Sequence, residues 1–202
     1  MNKIVAKTIS IALHPVVMPC LMMLILFNSG TVVSMYSINL KLRLFLIIAV
    51  CTLVMPMVIF SVLYWLKAIN SVELYSHRER VVPFLFSLIF YGFSVFILMG
   101  NSGLFVIKYL MVAASVALFI TILISYYWKI SAHMVGIGGA TGFIIALSLF
   151  WGADVKFFLH TAILLSGVVG SSRLALNEHS PLQIYTGYMV GILSMLGVFV
   201  FV

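Results

Sequence analysis

Apolar residues fill most of this chain, in stretches at about 10–28, 43–66, 82–100, 104–127, 131–151, 157–176 and 182–202. Each holds about 20 residues, enough for a helix to cross about 30 Å of hydrocarbon. The ten-residue alternation of apolar and polar positions that marks a membrane β-barrel does not occur. The pattern therefore predicts an all-α fold, a polytopic transmembrane bundle of six or seven helices in one domain over 1–202. Connections are short. Asn101, Ser102 and Gly103 make a tight turn between the third and fourth stretches, and 152–156 does the same between the fifth and sixth. Lys3 and Lys7 precede the first stretch in the manner of a signal peptide, but no small-x-small site follows, so it is read as a retained first helix.

Small residues recur at helical spacing in Gly138-x-x-x-Gly142 and Gly187-x-x-x-Gly191. This spacing predicts close packing of the fifth and seventh helices, with a homodimer face as the alternative. Pro15, Pro19 and Pro56 lie in or near apolar runs and predict kinks.

Composition agrees with the pattern. The chain is 202 residues, 64% hydrophobic and 7% charged, too few charges to cover a water-facing surface. The net charge of +7 is scattered over segment ends, with no basic stripe to hold nucleic acid. Anionic headgroups are the fitting counter-charge. Cys20 and Cys51 lie inside apolar runs and are read as packing residues.

Counting crossings locates the chemistry. The connections after the second, fourth and sixth segments fall on one side of the membrane, and they carry Arg78 and Arg80, Ser131 and His133, and Arg173 and His179. An ionisable residue at a membrane boundary is costly and therefore a functional candidate. The Arg173 guanidinium matches the oxygens of a phosphate in a planar fork. His179 precedes Ser180 and Pro181, a helix start whose free amides favour an anion. Gln183, four residues on, shares a helix face with His179 if that helix begins slightly before residue 182. His14 and His160 sit in apolar runs and are read as structural.

The run Ser172-Arg173, five residues, His179, three residues, Gln183 resembles the third motif of the type-2 phosphatidic-acid phosphatase superfamily: Ser-Arg, five residues, His, three residues, Asp. Ile130-Ser131-Ala132-His133 resembles its second motif, Pro-Ser-Gly-His. Arg78, Arg80 and Pro83 resemble a shifted form of its first, a Lys six residues before Arg-Pro. The likeness spans about 70–190. Glu73 stands where the family has lysine, Ala132 where it has glycine, and Gln183 where it has aspartate.

This resemblance implies a hydrolase that removes phosphate from a lipid without a metal or cofactor. His179 would be the nucleophile that becomes phosphohistidine, and His133 the acid and base. Arg173, Arg80, Arg78, Ser131 and Ser172 would hold the phosphoryl oxygens, and Gln183 would orient His179. The substrate class would be phosphatidate, phosphatidylglycerol phosphate, a polyprenyl diphosphate or a lipid A phosphate. The resemblance also implies a bacterial inner membrane with the site facing the periplasm. Loop charges leave orientation open: Lys3, Lys7, Lys67 and Lys129 on the site's side balance Lys41, Arg43, Lys108 and Lys156 on the other. Two other readings stand beside it. One is a degenerate relative that binds lipid phosphate without hydrolysing it, and the other is an anion or lipid transporter.

Overall fold

The computed structural model describes residues 1–69 and 79–201, and every regular element in them is helical. In chain order these are α1 (Lys3–Ala12), α2 (Met18–Phe27), α3 (Ile38–Ala49), α4 (Met55–Trp65), α5 (Val81–Met99), α6 (Phe105–Tyr127), α7 (Ala132–Trp151), α8 (Lys156–Ala175) and α9 (Pro181–Val200). Together they make seven spans long and apolar enough to cross a membrane. The chain is a helical transmembrane bundle.

Two spans differ from the expectation. The second begins at Ile38 rather than 43, because Ser37 caps it by accepting from Leu40 N. The charges of Lys41 and Arg43 sit in its opening turns. Lys41 Nζ reaches Ser34 O at 2.6 Å, so its charge stays at the boundary while its stem lies along the helix. The same span widens into a π turn over Val50–Val54, just before Pro56, which has no N–H to give.

The first span begins at Lys3, capped by Asn2 Oδ1 accepting from Ile4 N at 2.9 Å, and it is broken in the middle. A residue before proline is pushed out of the α region. His14 accordingly takes φ −66°, ψ 141°, and its Nδ1 accepts from Val16 N, opening a 3₁₀ turn at Pro15–Val17. α1 packs on α8, and α2 packs on α7. The two halves of one span therefore lie against different neighbours.

α7 and α9 make the closest helix pair. Gly187 lies against Ser131 O, where a Cβ would sit 2.7 Å away, and a methyl on Gly191 would run into Val135 O and Gly139 N. Gly138 and Gly142 meet the backbone of Tyr188 and Ile192 in the same way. All four glycines of the two motifs pack these helices within one chain, so this face is not free to pair two copies. At the far end, the Tyr36 hydroxyl donates to Gly103 O and ties the loop before α3 to the α5–α6 turn.

Candidate functional site

Arg80 at the start of α5 and the connections between α6 and α7 and between α8 and α9 meet at one end of the bundle. Arg80 Nη1 donates to Ile130 O at 3.5 Å, Ser131 N donates to Gln183 O at 3.4 Å, and Lys129 Nζ lies 3.5 Å from Glu178 Oε2. The expected convergence of Arg80, Ser131, His133, Arg173 and His179 is therefore present. Arg78 lies outside the described residues.

Local backbone chemistry explains the spacing of Arg173 and His179. α8 ends in a Schellman motif: Glu178 N donates to Arg173 O at 3.2 Å and Asn177 N to Leu174 O at 2.9 Å. Asn177 takes the left-handed position that closes this motif, at φ 55°. Asparagine is the residue after glycine best suited to it. The reversal swings Glu178 back toward Arg173, with Glu178 Oε2 3.7 Å from Arg173 Nη2, and sets His179 just before the N-cap of α9.

α9 starts one residue earlier than the apolar run suggested, and this brings His179 and Gln183 together. Ser180 and Gln183 form a capping box, in which Gln183 Oε1 accepts from Ser180 N at 3.1 Å. A backbone N–H needs an acceptor, so the atom at that place is the amide oxygen. His179 Nδ1 lies 3.0 Å from the same oxygen and must donate to it. The proton is thus fixed on Nδ1, and Nε2 keeps its lone pair.

His179 is 7% exposed and Arg80 6%. Burial pulls the His179 pKa down to about 3; the Gln183 hydrogen bond pulls it up, and the charges of Arg80, Arg173 and Lys129 push it down again. The imidazole is neutral at neutral pH. Burial also lowers Arg80, against the pull of Glu178, and lowers Lys129, with Arg80 adding to the effect.

The first span supplies a part of the site that sequence reasoning missed. α1 ends at Ala12, so Ser10 O is among its last carbonyls and has no following turn to serve it. His133 Nε2 lies 3.0 Å from that oxygen, and because a carbonyl can only accept, Nε2 carries the proton. Arg173 Nη1 donates to Ser10 Oγ at 3.2 Å. The His14 ring meets the His133 ring edge-on, with centroids 5.2 Å apart. His14 therefore adjoins the polar cluster while its Nδ1 keeps the structural role of capping the turn at Pro15–Val17, whereas His160 is exposed and bonded to Lys156 O on its own helix. The signal for His14 was the His-Pro pair inside an apolar run. Glu178 was also missed as the carboxylate among these cations.

Two serines differ in their standing. Ser172 is buried and donates its hydroxyl to Val168 O at 2.8 Å on its own helix. Ser131 is fully buried, and its Oγ has no hydrogen-bond partner among the described residues. It sits at the N-cap of α7, whose first amides and positive dipole end face the same region. A buried hydroxyl without a partner is costly in a folded protein unless something completes it.

The chain matches no protein-family model, no curated protein and no solved structure. The site holds a neutral imidazole with a free Nε2, three buried or half-buried cations, a second histidine fixed by a helix-end carbonyl, and an uncompleted hydroxyl at a helix N-terminus.

Proposed function

We propose that the protein hydrolyses a phosphomonoester or diphosphate on a lipid, without a metal, through a phosphohistidine at His179. The observation that carries this reading is the 3.0 Å bond from His179 Nδ1 to Gln183 Oε1, which frees Nε2 beside Arg80, Arg173 and Lys129. Nε2 attacks phosphorus and the ester P–O bond breaks, dividing the reaction into two steps. The cations and the α7 amides offset charge gathering on the phosphoryl oxygens. Ser10 O holds the Nε2–H of His133, so proton transfer falls to Nδ1 of that ring. Charged, it protonates the leaving alkoxide; neutral, it takes a proton from the water that then cleaves the phosphohistidine. The likeness of the three motifs to the phosphatidic-acid phosphatases supports the same reading. It also favours a site facing the periplasm of a bacterial inner membrane.

A second reading is a lipid-phosphate binder without turnover. It is favoured by Glu178, a carboxylate already among the cations, and by the neutral Gln183 where the family's motif has an acid. Transport has less support. The broken first span fits a transporter's discontinuous helix. However, Pro15 packs on Gly136, four residues or about 6 Å along α7, well short of the midplane. Release of inorganic phosphate from phosphatidate, phosphatidylglycerol phosphate and polyprenyl diphosphate by purified protein separates these readings. The account expects release that His179→Ala and Arg173→Ala abolish. Binding of the same lipids with no release would leave the binder.

A further inference from the structure

The break at His14 has a second consequence, lower in the bundle. α1 stays on α8 while α2 moves onto α7, and between α2 and α8 a cleft of about 410 Å³ opens, floored by α7. Its walls include Leu21 and Ile25 from α2, Ile137 and Ile144 from α7, and Phe158 and Leu165 from α8. Asn28 and Thr161 are the polar residues in a lining that is otherwise apolar, and Leu24 at its edge is 46% exposed, so the cleft opens sideways.

The cleft begins beside the polar site. Leu13, at its upper end, adjoins His14. On α7, Ile137, Ala140 and Ile144 follow His133 by four, seven and eleven residues, all on one helix face. On α8, Ala162 lies three turns below Arg173 on the face that carries the guanidinium. Eleven residues at 1.5 Å each place Ile144 about 16 Å below His133, and Phe158, fifteen residues before Arg173, lies about 22 Å below it, so the cleft runs past the ~15 Å half-thickness of the hydrocarbon toward the opposite boundary.

We infer that one hydrocarbon chain of the lipid whose phosphoryl group enters the polar site lies in this cleft, between α2, α7 and α8. The inference rests on the phosphoryl-binding reading. It adds to that reading a lipid whose headgroup is anchored at Arg173 and whose chain follows these helices down toward the opposite boundary. A chain in the open bilayer would contact all lipid-facing helices alike. A chain tethered by its headgroup contacts these three.

The test is photo-crosslinking in phosphatidylcholine nanodiscs with phosphatidate carrying a diazirine at mid-chain, followed by mapping of labelled residues. Labelling is expected to concentrate at Leu21, Ile25, Phe158 and Leu165, and to exceed that at the exposed Leu46 and Val54 of the second span. Arg173→Ala should lower cleft labelling about tenfold, the loss expected for one charge-assisted hydrogen bond. The same diazirine on phosphatidylcholine should show no such dependence. Leu165→Trp narrows the cleft without touching the headgroup site and should lower labelling on its own, which covers the case in which Arg173→Ala does not fold. Even labelling of all lipid-facing helices, or cleft labelling indifferent to both substitutions, overturns the inference. Phosphate release from the same preparation is measured separately. Release without cleft labelling removes the chain site and keeps the hydrolase; cleft labelling without release does the reverse.

Discussion

Replacing Gln183 with glutamate changes one charge and almost no shape. The capping box accepts either residue at this position, so Ser180 N and His179 Nδ1 keep their acceptor. What changes is the field at His179. A carboxylate whose charge lies about 4 Å from an imidazolium contributes roughly 4 kcal/mol at an effective dielectric of about 20, or about 3 pK units. Starting from about 3, the His179 pKa should rise toward the ordinary histidine range. The nucleophile must be neutral, so the acid limb of kcat/KM, which reports the free enzyme, should lie far below pH 6.5 in the wild type and move up by two to three units in Gln183→Glu, as the field estimate requires. On the plateau the variant should be faster, because the carboxylate also steadies the cationic phosphohistidine. Gln183→Asp adds the same charge on a shorter arm and should act less strongly. NMR titration of labelled histidine gives the same pKa without relying on turnover. An unmoved limb together with an unmoved His179 titration would refute the claim that this oxygen faces Nδ1.

Three further outcomes follow from the packing and the site. Gly191→Ala pushes a methyl into Val135 O and Gly139 N and should cost about 1–3 kcal/mol or more, seen as a lowered Tm in detergent. Gly197→Ala, on the same helix and facing open space, should be neutral or slightly stabilising, and equal effects at the two sites would contradict the α7–α9 packing. Ser131→Ala removes a buried hydroxyl that lacks a partner. It should raise or leave unchanged the Tm while weakening inhibition by inorganic phosphate, whereas a clear loss of stability would mean the hydroxyl is already bonded. The folded pKa of His179 is depressed, so its stabilising contribution is complete above pH 6.5 and is lost as pH falls toward 3. The loss is at most about 1.4 kcal/mol per unit, because the unfolded chain binds the proton first. Tm measured from pH 7 to pH 4 should fall more steeply in the wild type than in His179→Gln, and parallel curves would contradict this.

The spans were legible because length and hydropathy decide them, and the meeting of Arg80, Ser131, Arg173 and His179 followed from counting crossings. The break at His14 was harder to see, because a proline in an apolar run is equally consistent with a kink, and only the neighbours of Ser10 O show that the freed carbonyl is used by His133. Glu178 was hidden for a different reason. Its place over Arg173 depends on Asn177 adopting a left-handed conformation, which residue types favour but do not dictate. Ser172 went the other way, since motif spacing marked it for a phosphate while its position on α8 turned the hydroxyl onto Val168 O. The lateral cleft could not be read from sequence at all, because it arises where two halves of one span choose different partners.

The central claim is that the free Nε2 of His179 attacks a lipid phosphoryl group held by Arg80 and Arg173. Rapid quenching of purified protein with ³²P-labelled phosphatidate, then mass spectrometry of the peptide containing residue 179, tests it most directly. The account predicts an acid-labile, base-stable phosphoryl group on His179 that forms before phosphate is released and is missing in His179→Ala. Phosphate release at the wild-type rate by His179→Ala, or turnover with no label on this residue, would contradict it.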